Sequence, residues 1–137
     1  MSIPAPAVTD HADAIMRVIQ AWSAQHTTRN IAQYMALFSP AETTVLIGPE
    51  GQERCVGLDA IRAQAERDWQ LTDYLTFVWN WHTVVVQQSV AWIAAEGLSR
   101  LKMHGESMEF NVRLTAVLVA HAEQWRIAQH HLSIPVG

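Results

Sequence analysis

The chain reads as one α+β domain, with three N-terminal helices packed on the concave side of a highly curved, mostly antiparallel sheet. Three observations predict this. Apolar residues recur at helical spacing in the first half, and from residue 75 onward the pattern becomes four long runs rich in Val, Ile, Thr, Phe and Trp. The connections between these runs, QQS, HGES and HAE, are of hairpin length, so neighbouring runs pair antiparallel. Several runs also exceed the usual strand length of about 5–6 residues, and long strands coil, so the sheet can wrap around helices.

Residues 1–8 read as a loose, flexible arm, because Pro4 and Pro6 oppose a helix start. Thr9 or Asp10 can cap the first helix, whose stripe Ile15, Val18, Ile19 and Trp22 is spaced to be buried, with an end expected near His26. After the polar break TTRN, Asn30 caps a short second helix and Gln33 can reach back to it, a variant of the capping box. Tyr34, Leu37 and Phe38 line its packing face, and Pro40 stops it. TTVLIG at 43–48 predicts a short strand, and PEG at 49–51 a turn. Gly57 then precedes a third helix, LDAIRAQAERDW, with the stripe Leu58, Ile61, Ala65 and Trp69 and with Arg62 and Glu66 spaced as a surface pair. LTFVWNWHTVVV, VAWIAAEGLSRLKM, MEFNVRLTAVLVA and QWRIAQHHLSI complete the meander.

Composition narrows the function. A chain of 137 residues, 50% hydrophobic, is long enough for one real core and short for two domains. Nine Lys and Arg against 13 Asp and Glu, with no basic cluster, argue against nucleic acid as a partner. No apolar run approaches the roughly 18 residues of a membrane span, and the N-terminus lacks the pattern of a signal peptide. The single cysteine, Cys55, reads as semi-buried and structural. The expectation is a cytoplasmic protein with neither nucleic acid nor membrane as partner.

The chemistry is sought where ionisable residues interrupt apolar strands. Strict alternation puts Asn111, Arg113, Thr115, Val117 and Val119 on one face of the third meander strand. It puts Trp125, Ile127, Gln129, His131 and Ser133 together in the last strand. If these faces coincide, Arg113, Gln129 and His131 form a polar cluster in apolar surroundings. Arg113 is then suited to hold a carboxylate or enolate oxygen with two hydrogen bonds, and His131 to move a proton near neutral pH. Glu96, in AAEG, is the acidic group most deeply embedded in a strand and the first candidate general base. The alternatives are structural: Arg113 paired with Glu96 or Glu109, and His131 as a hydrogen-bonded core histidine. Trp22, Tyr34 and Trp92 are the aromatic candidates for ligand contact. Trp79 and Trp81 share a face by alternation and, with Trp92, either roof a pocket or pack in a core or subunit interface. Asp68 and Asp73 read as solvated or capping.

No metal and no cofactor is expected. His130 and His131 are adjacent in a strand and point to opposite faces, no metal-ligand spacing such as HExxH occurs, and GPEGQERCVG lacks the Lys-Ser/Thr of a phosphate loop.

Three segments, VLIGPEGQERCVGLDAIRAQAERDW, FNVRLTAVLVAHAEQWRI and HHLSIP, resemble the SnoaL-like branch of the nuclear-transport-factor-two-like superfamily over nearly the whole chain, from the Trp22 helix to Ser133. The third is similar to the family's terminal histidine-x-serine ending, with His131 and Ser133 at the matching places. The resemblance implies a cone-shaped domain with a deep pocket, homodimers built through the sheet, and Arg113 and His131 facing the pocket. Relatives include ketosteroid isomerases, scytalone dehydratases, polyketide cyclases and the association domain of calmodulin-dependent kinases, and the sequence shows no clear match to the catalytic groups of the isomerases or dehydratases. Three functions follow as expectations. The first is a pocket for a small hydrophobic molecule carrying an acidic or carbonyl group. The second is an isomerase, cyclase or dehydratase acting by proton transfer through His131, Glu96 and Arg113. The third is a non-catalytic dimerisation module.

Overall fold

The structure, a computed structural model, describes residues 8–136, with side chains described from His11 onward. Among these residues the helices are α1 (Val8–Thr28), α2 (Ile31–Met35) and α3 (Leu58–Leu71). The strands are β1 (Val45–Ile47), β2 (Arg54–Val56), β3 (Tyr74–Gln87), β4 (Val90–Met103), β5 (Glu106–His121) and β6 (Gln124–Ser133). The arm expected over 1–8 lies outside the described residues as far as residue 7, and Val8 already belongs to α1. The side chains of Thr9 and Asp10, the expected caps, also lie outside the described residues.

Each helix buries the stripe its spacing predicts. Ile15, Ile19 and Trp22 of α1, Tyr34 of α2 and Ile61 and Ala65 of α3 are all in the core. Helix α1 runs two residues past the predicted end, to Thr28, and the chain reverses at Arg29, in the left-handed region at φ +59°. The Arg29 guanidinium then ties two helix ends together. It donates to the carbonyls of His26 (3.0 Å), Trp69 (2.6 Å) and Thr72 (3.0 Å) and to Thr72 Oγ1 (2.9 Å). The last carbonyls of a helix have no intrahelical donor, so a cation placed there satisfies them. Asn30 caps α2 as expected, its Oδ1 accepting from the Gln33 backbone N–H at 3.0 Å. The reciprocal bond differs from the expectation: Gln25 Oε1 accepts from the Asn30 N–H, and Gln25 Nε2 donates to Gln33 Oε1.

The sheet order is β2-β1-β6-β5-β4-β3. All neighbours are antiparallel except β1 and β6, which run parallel with Leu46 opposite His130. Strand β2 follows the turn expected at 49–51, in a stretch for which the sequence predicts no strand. Its three residues, Arg54, Cys55 and Val56, bury only Cys55, which is too little pattern to stand out.

Two β-bulges correct the face assignments. In β3, Trp79 pairs with Gly97 and Trp81 with Glu96, which leaves Asn80 as an extra residue. A bulge shifts the alternation by one, so Trp79 and Trp81 lie on opposite faces rather than sharing one. Trp79 turns inward and its Nε1 donates to Ser23 Oγ of α1 at 2.8 Å, while Trp81 turns outward and is 50% exposed. In β6, Val117 of β5 pairs with Gln129 and Leu118 with Ile127, so Ala128 is extra. Ile127 therefore points inward on one side of the bulge, and His130 and Leu132 point inward on the other. The predicted common face of Trp125, Ile127, Gln129, His131 and Ser133 is broken at Ala128.

Gly97 makes the first bulge possible. A Cβ there would collide with the Val78 carbonyl and the Trp79 ring, both backed by sheet and helix. Gly97→Ala should cost roughly 1–3 kcal/mol, the usual range for overpacking. Urea unfolding checks it, and a variant as stable as the parent would show that the bulge relaxes freely.

No helix among the described residues is long and apolar enough to cross a membrane.

Candidate functional site

The helices and the β1–β2 hairpin leave part of the concave face uncovered, and there a cavity of about 560 Å³ opens. Its floor is apolar: Leu75 and Phe77 of β3, Leu101 of β4, Phe110 and Val112 of β5 and Leu132 of β6. Its polar wall comes from α3, through Gln64, Arg67 and Asp68, and from the hairpin, through Glu50 and Glu53.

Asp68 is the most distinctive group in this wall. Arg67 Nη2 donates to Gln64 Oε1 at 2.7 Å, which leaves the Gln64 amide nitrogen to donate to Asp68 Oδ1 at 2.9 Å. The acid is thus held at one oxygen by an oriented chain of bonds. Desolvation raises its pKa from the ordinary aspartate value and the nearby Glu50 pushes the same way, against the Gln64 bond and the Arg67 charge. Desolvation also raises Glu53. Three carboxyl groups and one guanidinium line this wall, a balance that disfavours an anionic ligand.

Behind Phe77 lies a layer of packed rings. Phe77 touches Trp22 (centroids 4.9 Å apart) and His26 (5.2 Å), and Trp22 packs on His26 (4.5 Å) and on His130 (4.3 Å). Trp22 Nε1 donates to Tyr34 Oη at 3.2 Å, and Trp69 Nε1 donates to His26 Nδ1 at 3.1 Å. Desolvation is the main cause that lowers His26 and His130 from 6.5 to about 3, so both rings are neutral at physiological pH. Burial and the nearby Asp68 and Cys55 push the Tyr34 hydroxyl up, against the bond from Trp22, so it stays protonated.

The residues expected at the site fall into two groups. Trp22 and Tyr34 lie on the concave side, one ring layer behind the pocket floor. Arg113, Glu96, Gln129, His131 and Trp92 do not enter the pocket: all are exposed, on the sheet face opposite the helices. Arg113 and His131 do share a face, with Thr115 opposite His131 and Ser133 opposite Arg113, but that face is the outer one. The physical reason is parity. Val112, Leu114 and Ala116 carry the buried side of β5, so Arg113 between them points out, and the Ala128 bulge turns His130 rather than His131 inward.

Arg113 Nε donates to Glu96 Oε2 at 2.9 Å, with the two side chains 60% and 48% exposed. In an isolated chain an exposed pair contributes little, so a double-mutant cycle on Arg113→Ala and Glu96→Ala, run at a concentration where the chain is monomeric, should give a coupling below about 1 kcal/mol. A coupling of several kcal/mol in urea unfolding would mean that this face is covered in solution.

Asp68, Gln64, His26 and His130 were not among the sequence candidates. Gln64 and Asp68 continue the buried stripe of α3 through Ile61 and Ala65, and His26 continues that of α1 from Ile15, Ile19 and Trp22, so the helical spacing already carried these three. Nothing in the sequence marks the bulge that turns His130 inward. Among the described residues no group of three or more His, Cys, Asp or Glu side chains is placed to hold a metal ion.

A family model described as SnoaL-like domain matches residues 15–137. No curated protein matches the chain. Many solved structures do. A nuclear transport factor 2-like superfamily protein from Salmonella enterica superposes with a TM-score of 0.87 at 16% identity, over 96% of this chain and 95% of that one. A candidate dehydratase of the same family from Streptomyces avermitilis gives 0.84 at 14% identity, over 96% and 100%. A candidate aromatic ring hydroxylase from Novosphingobium aromaticivorans gives 0.84 at 16%, over 98% and 94%. At these identities the likeness is one of fold.

Proposed function

The chain belongs to the SnoaL-like domain family, and we propose that it binds a small, largely apolar, neutral molecule bearing a carbonyl or hydroxyl group in the concave pocket. The apolar floor and the acid-rich wall support this reading, and they replace Arg113 with Asp68 as the polar anchor. A protonated Asp68 donates to a carbonyl or hydroxyl oxygen, and an ionised one accepts from a hydroxyl.

The observation that carries the proposal is the desolvated Asp68 carboxyl on the wall of an apolar cavity, fixed by Gln64. It also favours a second reading, catalysis of proton transfer, because desolvation raises the proton affinity of this carboxyl and makes it a better base than an ordinary carboxylate. Structural neighbours described as a candidate dehydratase and a candidate aromatic ring hydroxylase share this fold. Titration with the bicyclic hydrocarbon tetralin, followed by tryptophan fluorescence, tests the pocket itself. Quenching that saturates supports it, and no binding at the solubility limit rejects it and leaves the dimerisation module as the better account.

We further propose a homodimer through the outer sheet face, supported by the exposed Val78, Trp81, Val85, Val90 and Trp92 there. Sedimentation at micromolar concentration should give twice 15.4 kDa. Trp81→Lys with Trp92→Lys should give the monomer mass, and a monomeric parent would reject the dimer.

A further inference from the structure

Asp68 lies in the last turn of α3, which ends at Leu71 with Thr72 as its C-cap. The carbonyls of a helix's last turn lack intrahelical partners, and that turn opens first unless something else holds it. Gln64 fixes one oxygen of the Asp68 carboxyl from within the helix. The place of the carboxyl on the pocket wall depends in addition on the turn staying closed.

Thr72 closes it. Its backbone N–H and its Oγ1 both donate to the Asp68 carbonyl, at 3.1 and 2.6 Å. The same Oγ1 accepts from Arg29 Nη2 at 2.9 Å. Arg29 Nη1 donates to the carbonyls of Trp69 and Thr72, and Arg29 Nε to that of His26 in the last turn of α1. All three guanidinium nitrogens are thus engaged. A planar fork of donors can meet several acceptors at once, which a single ammonium cannot. A second tie runs beside the first, where Trp69 Nε1 donates to His26 Nδ1.

Arg29 itself does not line the cavity, whereas Asp68, Leu71 and Thr72 of the turn it holds all do. Nor does it act on the acid by charge: the charges that move Asp68 are those of Arg67 and Glu50. The other ionisable groups around Asp68 are Glu53 and Cys55 of the hairpin and Tyr34 of α2. What Arg29 supplies to the site is position.

We propose that Arg29, acting through Thr72, is the positioning residue of the candidate site: it keeps the last turn of α3 closed and so holds the Asp68 carboxyl against the apolar cavity rather than in solvent. The inference rests on the reading of Asp68 as the pocket's polar anchor and adds to it the group that sets the anchor's place. Positioned groups need support from residues that do not touch the ligand, and small displacements of such groups are costly.

The test follows the side-chain carboxyl of Asp68 by 13C NMR across a pH titration of the parent, Arg29→Ala, Thr72→Val and Thr72→Ser. Desolvation is the main cause that raises Asp68, so a turn that opens should lower its midpoint toward that of an ordinary aspartate. Arg29→Ala and Thr72→Val should both lower it. Thr72→Ser, which keeps the hydroxyl, should leave it at the parent's value. Loss of a cation that acted by charge would raise the midpoint instead, so the sign separates position from charge. Should Arg29→Ala fail to fold, the Thr72 pair reads the same link at a single hydroxyl. A midpoint that stays at the parent's value in Arg29→Ala and Thr72→Val would make Arg29 a clip for stability alone and overturn the inference, and a raised midpoint overturns it as well. Tetralin titration of the parent keeps the two readings apart. A parent that binds no tetralin removes the pocket and this inference with it, whereas tetralin binding with an unmoved Asp68 removes the inference and leaves the pocket standing.

Discussion

Lowering the pH from 7.5 to 5 should cost the folded state about 4 kcal/mol through His26 and His130 alone, roughly 2 kcal/mol from each ring. Both are held at about 3 in the fold against an ordinary value of 6.5, chiefly by desolvation. Above the ordinary value neither the folded nor the unfolded chain protonates these rings, and their neutrality costs nothing. Below it the unfolded chain takes up protons that the folded chain refuses. Stability then falls by about 1.4 kcal/mol per pH unit for each ring, and it goes on falling until the folded value is reached. Asp68 and Glu53 work in the opposite direction, because their raised pKa values let the folded chain bind protons first on acidification. The contrast that isolates the histidines is therefore His130→Phe against the parent. Urea unfolding at pH 7.5, 6 and 5 should show a steep loss in the parent and about half the histidine contribution in the variant. Against a typical total of about 5–15 kcal/mol this effect is large. Equal slopes in the two proteins would mean that solvent reaches the His130 ring.

The helices and the meander were legible because their burial follows a fixed period. Ile15, Ile19 and Trp22 are buried on α1, and Val112, Leu114, Ala116 and Leu118 on β5, as spacing of 3.6 or of 2 requires. The same periods placed Gln64, Asp68 and His26 on buried stripes. Sequence alone does not single them out, because polar residues on a helix are ordinarily surface residues and Asp68, near the end of α3, reads as solvated or capping. The reading of the strands stopped at the bulges. Asn80 and Ala128 each insert one residue, and each reverses every later assignment on its strand. That reversal moved Trp81 outward and His130 inward. Arg113 was lost for another reason. Alternation correctly grouped it with the side of β5 opposite Val112 and Leu114, but the sequence does not say which of two rather apolar faces meets the helices. Burial in the structure decides it, since Ala91, Ile93 and Ala95 of β4 and Leu114 and Ala116 of β5 form one continuous inner surface.

The two polar features of the concave side divide the work by their chemistry. The histidine layer is neutral and buried, which suits packing against the aromatic rings of the core. Asp68 stands at the wall with one oxygen bonded to Gln64, and its proton affinity is raised, which suits moving a proton.

On the proton-transfer reading, Asp68→Asn should slow the exchange of the α-protons of the bicyclic ketone α-tetralone in heavy water by about 10²-fold or more, within the usual range for a positioned general base. The reasoning is specific to this carboxylate. Ionised Asp68 is poorly solvated, so it gains more from taking a proton than a carboxylate in water does. Asparagine keeps the shape and, with its oxygen toward Gln64, keeps that bond, so ketone affinity should change little. It also removes a partly buried charge, so stability near pH 7 should stay the same or rise. A rate loss with unchanged binding and undiminished stability separates chemistry from a folding lesion. Gln64→Leu breaks the positioning bond and should produce a smaller loss that comes with a shifted pH profile, because the bond that lowers the Asp68 pKa has gone. NMR follows the exchange directly as loss of the α-proton signal. If the parent exchanges these protons no faster than Asp68→Asn while binding the ketone normally, the acid serves recognition alone and the proton-transfer reading fails.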